Sequence, residues 1–360
     1  MSGYHRVLFV FIGFMAATLA AVQVEYTDHS RLLVFKDASG REHPVRDIKD
    51  WRIRRQHIIL GTEQAMGPLP DRTGLPPLEA SILEELDGPD YTRKLIRFTV
   101  EPGDQLPAHL YIPKGIRSPR AAILALHPTS PLGKDIVAGL GPRPNRNYAV
   151  ELAERGYVVL APDYPSFGDY SHYDFSSDRY ESGTMKGIFN HMRCLDFLET
   201  QDYVDPERVG VIGHSLGGHN AIFVAVFDER FKAVVSSCGW TPFHDYYGGD
   251  LRGWTSDRYM PLIRDKFQLD PDKVPFDFYE LIAALAPRPF FSNSPINDHN
   301  FDVGGVKKAI PEIRKVYSLF GVADHLQVRY PEAEHDFPSE VRAEAYGFLD
   351  QHLNHSPTVP

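Results

Sequence analysis

The stretch RVGVIGHSLGGHNAIF, residues 208–223, joins two apolar runs through a serine that is surrounded by glycines. The first run, RVGVI, is short and continuous, which is typical of a strand buried on both faces. The second run continues as GGHNAIFVAVF and has the length and composition of a buried helix. Ser215 therefore stands at a strand-to-helix junction, two residues from Gly213 on one side and from Gly217 on the other.

The G-x-S-x-G spacing has a mechanical reason. A strand-to-helix turn this sharp strains the serine backbone, and glycines two residues away on either side avoid collisions with neighbouring elements. The turn holds the hydroxyl out of the sheet, and the N–H of Leu216 points to the place where an oxyanion would form. We interpret Ser215 as a nucleophile and Leu216 as an oxyanion donor. The alternative is a glycine-rich turn with an incidental serine.

The rest of the chain repeats this strand-and-helix rhythm. IRFTV and LPAHLYI alternate apolar and polar residues around the turn EPGD, which predicts an antiparallel hairpin. Later apolar runs are typical of buried strands: AAILAL, YVVLA, RVGVIG, FKAVVSS, RPFFSN and LQVRY. Helical periodicity separates these runs. The alternation predicts an α/β fold, a mostly parallel sheet with an antiparallel N-terminal edge and helices on both faces.

A base and an acid are expected after other strands, because ligands of such sheets bind beyond the carboxyl ends of the strands. A serine nucleophile needs a base that an acid orients, here in the chain order serine, acid, histidine. His335 lies in PEAEHDFP, after the last strand. In SPINDHNFD, Asp298 is the predicted acid, and the alternative Asp302 could cap the next helix. Asp245 is a more distant alternative.

The loop LHPTSPLGK is expected to supply the second oxyanion donor. Pro128 has no N–H, so the backbone of Thr129 or of a near neighbour is the predicted donor. His127 is predicted to bond across this loop or to contact substrate. The histidines beside the nucleophile lack metal-site spacing and the two cysteines are scattered, so neither a metal nor a cofactor is predicted.

A long segment at about residues 239–285 is interpreted as a cap-like insertion over the site, since long loops at the active end of a sheet are often functional. It is rich in aromatic residues, of which Trp240 and Tyr246 are candidate substrate contacts. Aromatic rings interleaved with carboxylates suit a sugar. The alternative is that these rings pack the insertion onto the body.

The chain begins with Arg6 and the uncharged apolar run VLFVFIGFMAATLAAV, which is the layout of a secretory signal peptide over residues 1–22. A secreted or periplasmic protein, with no stable membrane association after cleavage, is therefore expected; a membrane-anchoring helix is the alternative. Residues 23–90 are interpreted as an N-terminal extension that contains a hairpin, RLLVFKDASGREHPV, and a helix, IKDWRIRRQHIILGTEQAM. The net charge of −10 disfavours nucleic acid as a partner.

The segment from about residue 91 to residue 353 resembles the α/β-hydrolase superfamily, and GHSLGG resembles its nucleophile elbow. LALHPTSPLGK, LAERGYVVLAPDYPSFGD, APRPFFSNSPINDHNFDV and EAEHDFP are similar to bacterial secreted esterases grouped with dienelactone hydrolases and acetyl xylan esterases. Many of these relatives have His-Gly where this chain has His127-Pro128.

The resemblance implies a catalytic domain over residues 91–355, with Ser215 as nucleophile, Asp298 as acid and His335 as base. It also implies a hydrolase of carboxylic esters, whose partner is a small-molecule or carbohydrate ester. A peptidase of the same fold and a non-catalytic binding protein with this fold are the alternatives.

Overall fold

The structure is a computed structural model that describes residues 25–357. The predicted signal peptide, residues 1–22, lies outside the described residues. The strands are β1 (Val34–Lys36), β2 (Glu42–Pro44), β3 (Ser81–Asp87), β4 (Tyr91–Glu101), β5 (Asp104–Pro113), β6 (Arg120–Leu126), β7 (Val158–Pro162), β8 (Val204–His214), β9 (Ala233–Ser237), β10 (Phe290–Asn293) and β11 (Leu326–Arg329). The α-helices are α1 (Ile48–Met66), α2 (Tyr148–Glu154), α3 (Gly183–Glu199), α4 (Leu216–Phe227), α5 (Leu262–Asp265), α6 (Phe278–Ala283), α7 (Val303–Leu319) and α8 (Ser339–His352). Among these helices, none combines the length and the apolar character that a membrane span requires.

Strands β3 to β11 form one sheet in the order β11-β10-β9-β8-β6-β7-β5-β4-β3. Strands β6 to β11 pair in parallel with one another. Pairing is antiparallel between β3 and β4, between β4 and β5, and between β5 and β7. The predicted mostly parallel sheet with an antiparallel N-terminal edge is therefore confirmed.

Helices cover both faces of the sheet, as predicted. Alternate residues of β6 pack into two different core clusters, Leu124 into the one that contains α3 and α4, and Ile123 into the one that contains α2 and α8. Strands β7, β9 and β10 are buried along their whole length. Burial on both faces explains why these strands appear in the sequence as continuous apolar runs.

The sheet begins earlier in the chain than the sequence indicates. Ser81–Asp87, within the predicted N-terminal extension, forms β3 and pairs with β4 at the edge of the sheet. All seven residues of β3 are exposed. Since neither face is buried, the strand lacks the apolar alternation by which a half-buried strand is recognised. The start of the sheet therefore does not coincide with residue 91.

The N-terminal extension forms the predicted hairpin, β1 with β2, and the predicted helix α1. A buried charge cluster joins this extension to the insertion that precedes β10. The guanidinium of Arg54 pairs with the carboxylate of Glu280, and His29 Nδ1 lies 2.8 Å from Glu280 Oε2. Burial lowers the pKa of His29 and the Glu280 carboxylate raises it, to about 9 on balance. Glu280 is therefore the counterion of two buried cations.

We expect Glu280→Gln to lower the free energy of unfolding by about 3 kcal/mol, because it leaves the buried guanidinium of Arg54 without its counterion and removes the carboxylate bonded to His29. Glu229→Gln is the control, since this carboxylate pairs with Arg55 but is 70% exposed. The control is expected to cost less than about 1 kcal/mol. Urea denaturation of both variants measures the difference, and equal losses would contradict the role given to Glu280.

Candidate active site

Ser215 lies in the turn between β8 and α4, with φ 55° and ψ −117°. A positive φ in a residue other than glycine is a strained conformation. The Ser215 amide donates to the carbonyl of Ser237 in β9 at 2.8 Å, which ties the turn to the sheet. The helical hydrogen bonds begin with His219 N to Ser215 O at 3.1 Å. The N–H of Leu216, in the first turn of α4, therefore has no partner within the helix.

The glycines around Ser215 are required by close backbone contacts. A Cβ at Gly213 would lie 2.1 Å from the carbonyl oxygen of Gly217, and a Cβ at Gly217 would lie 2.0 Å from the carbonyl oxygen of Leu126. Both obstacles are main-chain atoms, which cannot move aside as a side chain can. The turn can therefore be this tight only with glycine at both positions.

We expect Gly217→Ala to lower the free energy of unfolding by about 3 kcal/mol, because the added methyl group forces β6 and the turn apart. Gly347→Ala is the matched control. It lies in α8, and a Cβ there would meet nothing within 4 Å. The control is expected to raise the free energy of unfolding by about 0.5–1 kcal/mol, since alanine is the better helix former. Thermal denaturation of both variants measures this, and a neutral Gly217→Ala would contradict the steric argument.

His335 lies in the loop after β11, and its imidazole is held by Asp298. His335 Nδ1 lies 3.0 Å from Asp298 Oδ1 and 2.9 Å from Asp298 Oδ2. The amides of Asn300 and Phe301 also donate to Asp298 Oδ1, at 2.8 and 3.2 Å. The imidazole also neighbours the rings of Phe301 and His214, with centroids 6.0 and 4.9 Å away. The carboxylate and the two rings together fix the orientation of the imidazole.

The two alternative acids lie elsewhere. Asp302 caps α7, where its Oδ1 accepts from Gly304 N at 2.6 Å and from Gly305 N at 3.2 Å. Asp245 pairs with Lys308. Of the three aspartates that the sequence offers, Asp298 is the one that contacts His335.

Ser215, His335 and Thr129 line one cavity of about 640 Å³ at the carboxyl ends of the parallel strands. This volume falls within the range of small-molecule sites, about 300–1,000 Å³. No hydrogen bond joins the side chains of Ser215 and His335, although both lie in the cavity wall. Such bonds are often long without substrate and shorten in the complex.

The three candidate substrate contacts, His127, Trp240 and Tyr246, do not line this cavity. His127 is buried and bonds across its loop, with Nε2 accepting from Tyr164 N at 2.9 Å and Nδ1 directed at the carbonyl oxygen of Pro128 at 2.7 Å. Burial lowers the pKa of His127 to about 4, so its imidazole is neutral. These contacts match the bonding role predicted for His127 rather than substrate contact.

The insertion at residues 239–285 is packed onto the body by its aromatic rings. Trp240 is 1% exposed and donates from Nε1 to Ser292 Oγ at 2.9 Å. Tyr246 is buried against Trp254 and Phe301. The expectation that Trp240 and Tyr246 contact substrate is therefore corrected, because burial in the core withdraws both rings from the cavity.

Two residues next to the site are not among the residues predicted from the sequence. Tyr259 belongs to the insertion and packs against the cluster of Tyr164, Phe167 and Leu216, with its hydroxyl 3.2 Å from Thr129 Oγ1. Cys238 directly follows β9. Its Sγ, a carboxylate oxygen of Asp298 and a ring nitrogen of His335 all lie within 4.8 Å of one another. Burial, and then the Asp298 carboxylate, raise the pKa of the Cys238 thiol far above its usual value. The protonated thiol is a weak hydrogen-bond donor and not a metal ligand. The position of Cys238 directly after a strand is the sequence feature that indicates its closeness to the site.

A serine on a strained strand-to-helix turn, at the carboxyl edge of a mostly parallel sheet covered by helices, defines an α/β-hydrolase. The resemblance seen in the sequence is thus confirmed. Residues 145–356 match the model of the prolyl oligopeptidase family. The chain belongs to this family and is a hydrolase.

The chain is 26% identical over 304 residues to the putative hydrolase YtaP of Bacillus subtilis (strain 168), a match that covers 80% of this chain and 96% of that protein. It is 27% identical over 203 residues to the carbohydrate esterase MZ0003 of an unknown prokaryotic organism, covering 52% of this chain and 46% of that protein. The solved structure of a glucuronoyl esterase from Solibacter usitatus superposes with a TM-score of 0.69 at 22% identity, over 91% of this chain and 99% of that one. This structural similarity supports the fold.

Proposed function

We propose that the protein is a serine esterase that cleaves carboxylic esters, carbohydrate esters among them, through an acyl-enzyme intermediate. The observation that carries this proposal is the placement of Ser215 and His335 in one cavity, with His335 Nδ1 bonded to Asp298. Since the carboxylate keeps the proton on Nδ1, Nε2 has a free lone pair. Nε2 can therefore accept the serine proton.

The reaction follows from these positions. His335 Nε2 takes the hydroxyl proton while Ser215 Oγ attacks the ester carbonyl carbon. The N–H of Leu216 and the N–H of Thr129 or a near neighbour stabilise the oxyanion. The imidazolium, stabilised by Asp298, returns the proton to the leaving alcohol. Water, deprotonated by the same imidazole, then attacks the acyl carbon; the bond to Ser215 Oγ breaks, the imidazolium returns the proton to Oγ, and the acid is released.

A carbohydrate ester is proposed because one curated relative carries the name carbohydrate esterase. The experiment is a panel of purified substrates: acetyl, feruloyl and methyl-glucuronoyl esters of sugars beside p-nitrophenyl acetate. Turnover of at least one sugar ester with higher kcat/KM than p-nitrophenyl acetate is the expected result. If the protein hydrolysed p-nitrophenyl acetate but none of the sugar esters, it would be a general esterase, and the carbohydrate assignment would be overturned.

A peptidase is the second candidate, since the family description names oligopeptidases. Aminoacyl p-nitroanilides, tested beside the esters, separate the two activities: the esterase proposal expects ester turnover and no anilide turnover. A fluorophosphonate probe separates both enzymes from a binding protein. Labelling at Ser215 is expected, and an unlabelled protein would favour the binding protein.

We propose that the chain is exported through the signal peptide at residues 1–22, whose small residues Ala20 and Ala21 precede the described part of the chain. Mass spectrometry of the protein made in a bacterial host tests this. A mature N-terminus close to residue 23 in the extracellular or periplasmic fraction is expected. A full-length chain in the membrane fraction would favour the anchoring helix instead.

A further inference from the structure

The wall of the Ser215 cavity has an uneven charge. Two arginines, Arg143 and Arg146, line it, and the described lining residues include no carboxylate. The chain as a whole has a net charge of −10, so a cavity wall with arginines and no carboxylate differs from its overall composition. A cavity lined by one sign of charge attracts a ligand of the opposite sign.

Arg146 is already neutralised within the protein. Its guanidinium is buried, donates from Nη1 to Asp336 Oδ1 at 2.6 Å, and donates from Nη2 to the carbonyl oxygen of His335 at 3.1 Å. These bonds hold the histidine loop in place. Arg146 therefore positions His335 and has no charge left for a ligand.

Arg143 is different, because its guanidinium has no partner. It is exposed at the cavity wall and forms no ion pair or hydrogen bond with any residue in the described range 25–357. An arginine has five N–H donors in a planar fork that matches a carboxylate. The cavity thus holds one unused carboxylate-binding group.

The backbone that carries Arg143 is fixed relative to the histidine. Pro142 and Pro144 flank it, and both restrict the local backbone. The next residue, Asn145, donates from Nδ2 to Asp336 Oδ2 at 2.6 Å and accepts from Arg342 Nη1 at 2.8 Å. Because Asp336 adjoins His335, the arginine loop and the histidine loop are bonded together.

We infer that Arg143 determines specificity by binding a carboxylate on the substrate, so that the preferred substrates are esters that carry a second, free carboxylate. This inference rests on the proposed esterase function and deepens it. Leu132 and Ile136 also line the cavity wall, so apolar contacts are available to the carbon chain that joins the ester to the carboxylate. A charge-assisted bond at a partly exposed site is worth about tenfold in kcat/KM.

Two matched pairs of probes test this. Mono-4-nitrophenyl adipate and its methyl ester differ by a carboxylate on the acyl side, and 4-acetoxybenzoate and its methyl ester differ by a carboxylate on the alcohol side. The wild type is expected to prefer the anionic member of at least one pair. Arg143→Gln should lower kcat/KM for that member about tenfold and leave the neutral member unchanged. Arg143→Lys should restore part of the loss.

Arg117→Gln is the control, because Arg117 is also exposed but precedes β6, at the end of the strand away from the cavity. It should change neither member of a pair. If Arg143→Gln changed kcat/KM equally for the charged and neutral esters, or changed neither, the inference would be overturned. The esterase proposal would remain, because the wild type would still hydrolyse the esters. A wild type that cleaves none of the four probes would overturn the esterase proposal, and this inference with it.

Discussion

Replacing Ser215 with alanine is expected to lower kcat for ester hydrolysis by roughly 10⁴-fold or more, because no other group in the cavity takes the place of the nucleophile. The fold should persist, since the side chain of Ser215 makes no hydrogen bond that supports the described structure. Steady-state kinetics with p-nitrophenyl acetate, together with urea denaturation, measures both quantities. Turnover within tenfold of the wild type would remove Ser215 from the mechanism.

The same position offers a test of strain. Ser215 has φ 55°, which alanine tolerates no better than serine but glycine adopts readily. Ser215→Gly is therefore expected to raise the free energy of unfolding above that of Ser215→Ala by about 1–3 kcal/mol. Both variants lack the nucleophile, so the difference between them isolates the backbone. Equal stabilities would mean that the turn stores no strain at this residue.

The sequence alone is sufficient to predict most of the sheet. Strands such as β6 and β7 are buried on both faces, so each one appears as an apolar run that needs no knowledge of its neighbours. The edge strand β3 has no buried face, and its pairing with β4 is the only feature that makes it a strand. Pairing of this kind depends on a neighbouring strand, so the local residue pattern of β3 does not predict it.

The candidate site divides in the same way. Ser215, Asp298 and His335 could be selected because each follows a strand, and topology alone brings strand ends together. Residue type alone suggests Trp240 and Tyr246 as substrate contacts, and their burial depends on how the insertion folds back onto the body. Arg143 lies in a loop that bonds to the histidine loop through Asn145 and Asp336, a contact between distant parts of the chain. Residue type and spacing cannot predict contacts of this kind.

Asp298→Asn is expected to lower kcat by about 10⁴-fold with little change in stability. Asp302→Asn is the matched control, since this aspartate was the nearest alternative acid and instead caps α7. Asparagine caps helices about as well as aspartate, so the control should keep its activity and its stability. A large loss in the control and none in Asp298→Asn would exchange the roles of the two residues.

The size of the expected loss follows from the hydrogen bonds around residue 298. The amides of Asn300 and Phe301 both donate to Oδ1, so the carbonyl oxygen of an asparagine is held at that position. Its NH₂ group then occupies the place of Oδ2, 2.9 Å from His335 Nδ1. An NH₂ group at 2.9 Å donates to Nδ1 and repels an N–H there, which favours the tautomer in which Nδ1 accepts and Nε2 carries the proton, although Nδ1 also lies 3.0 Å from Oδ1. In that tautomer Nε2 has no lone pair for the proton of Ser215, and the base is lost although every heavy atom stays in place.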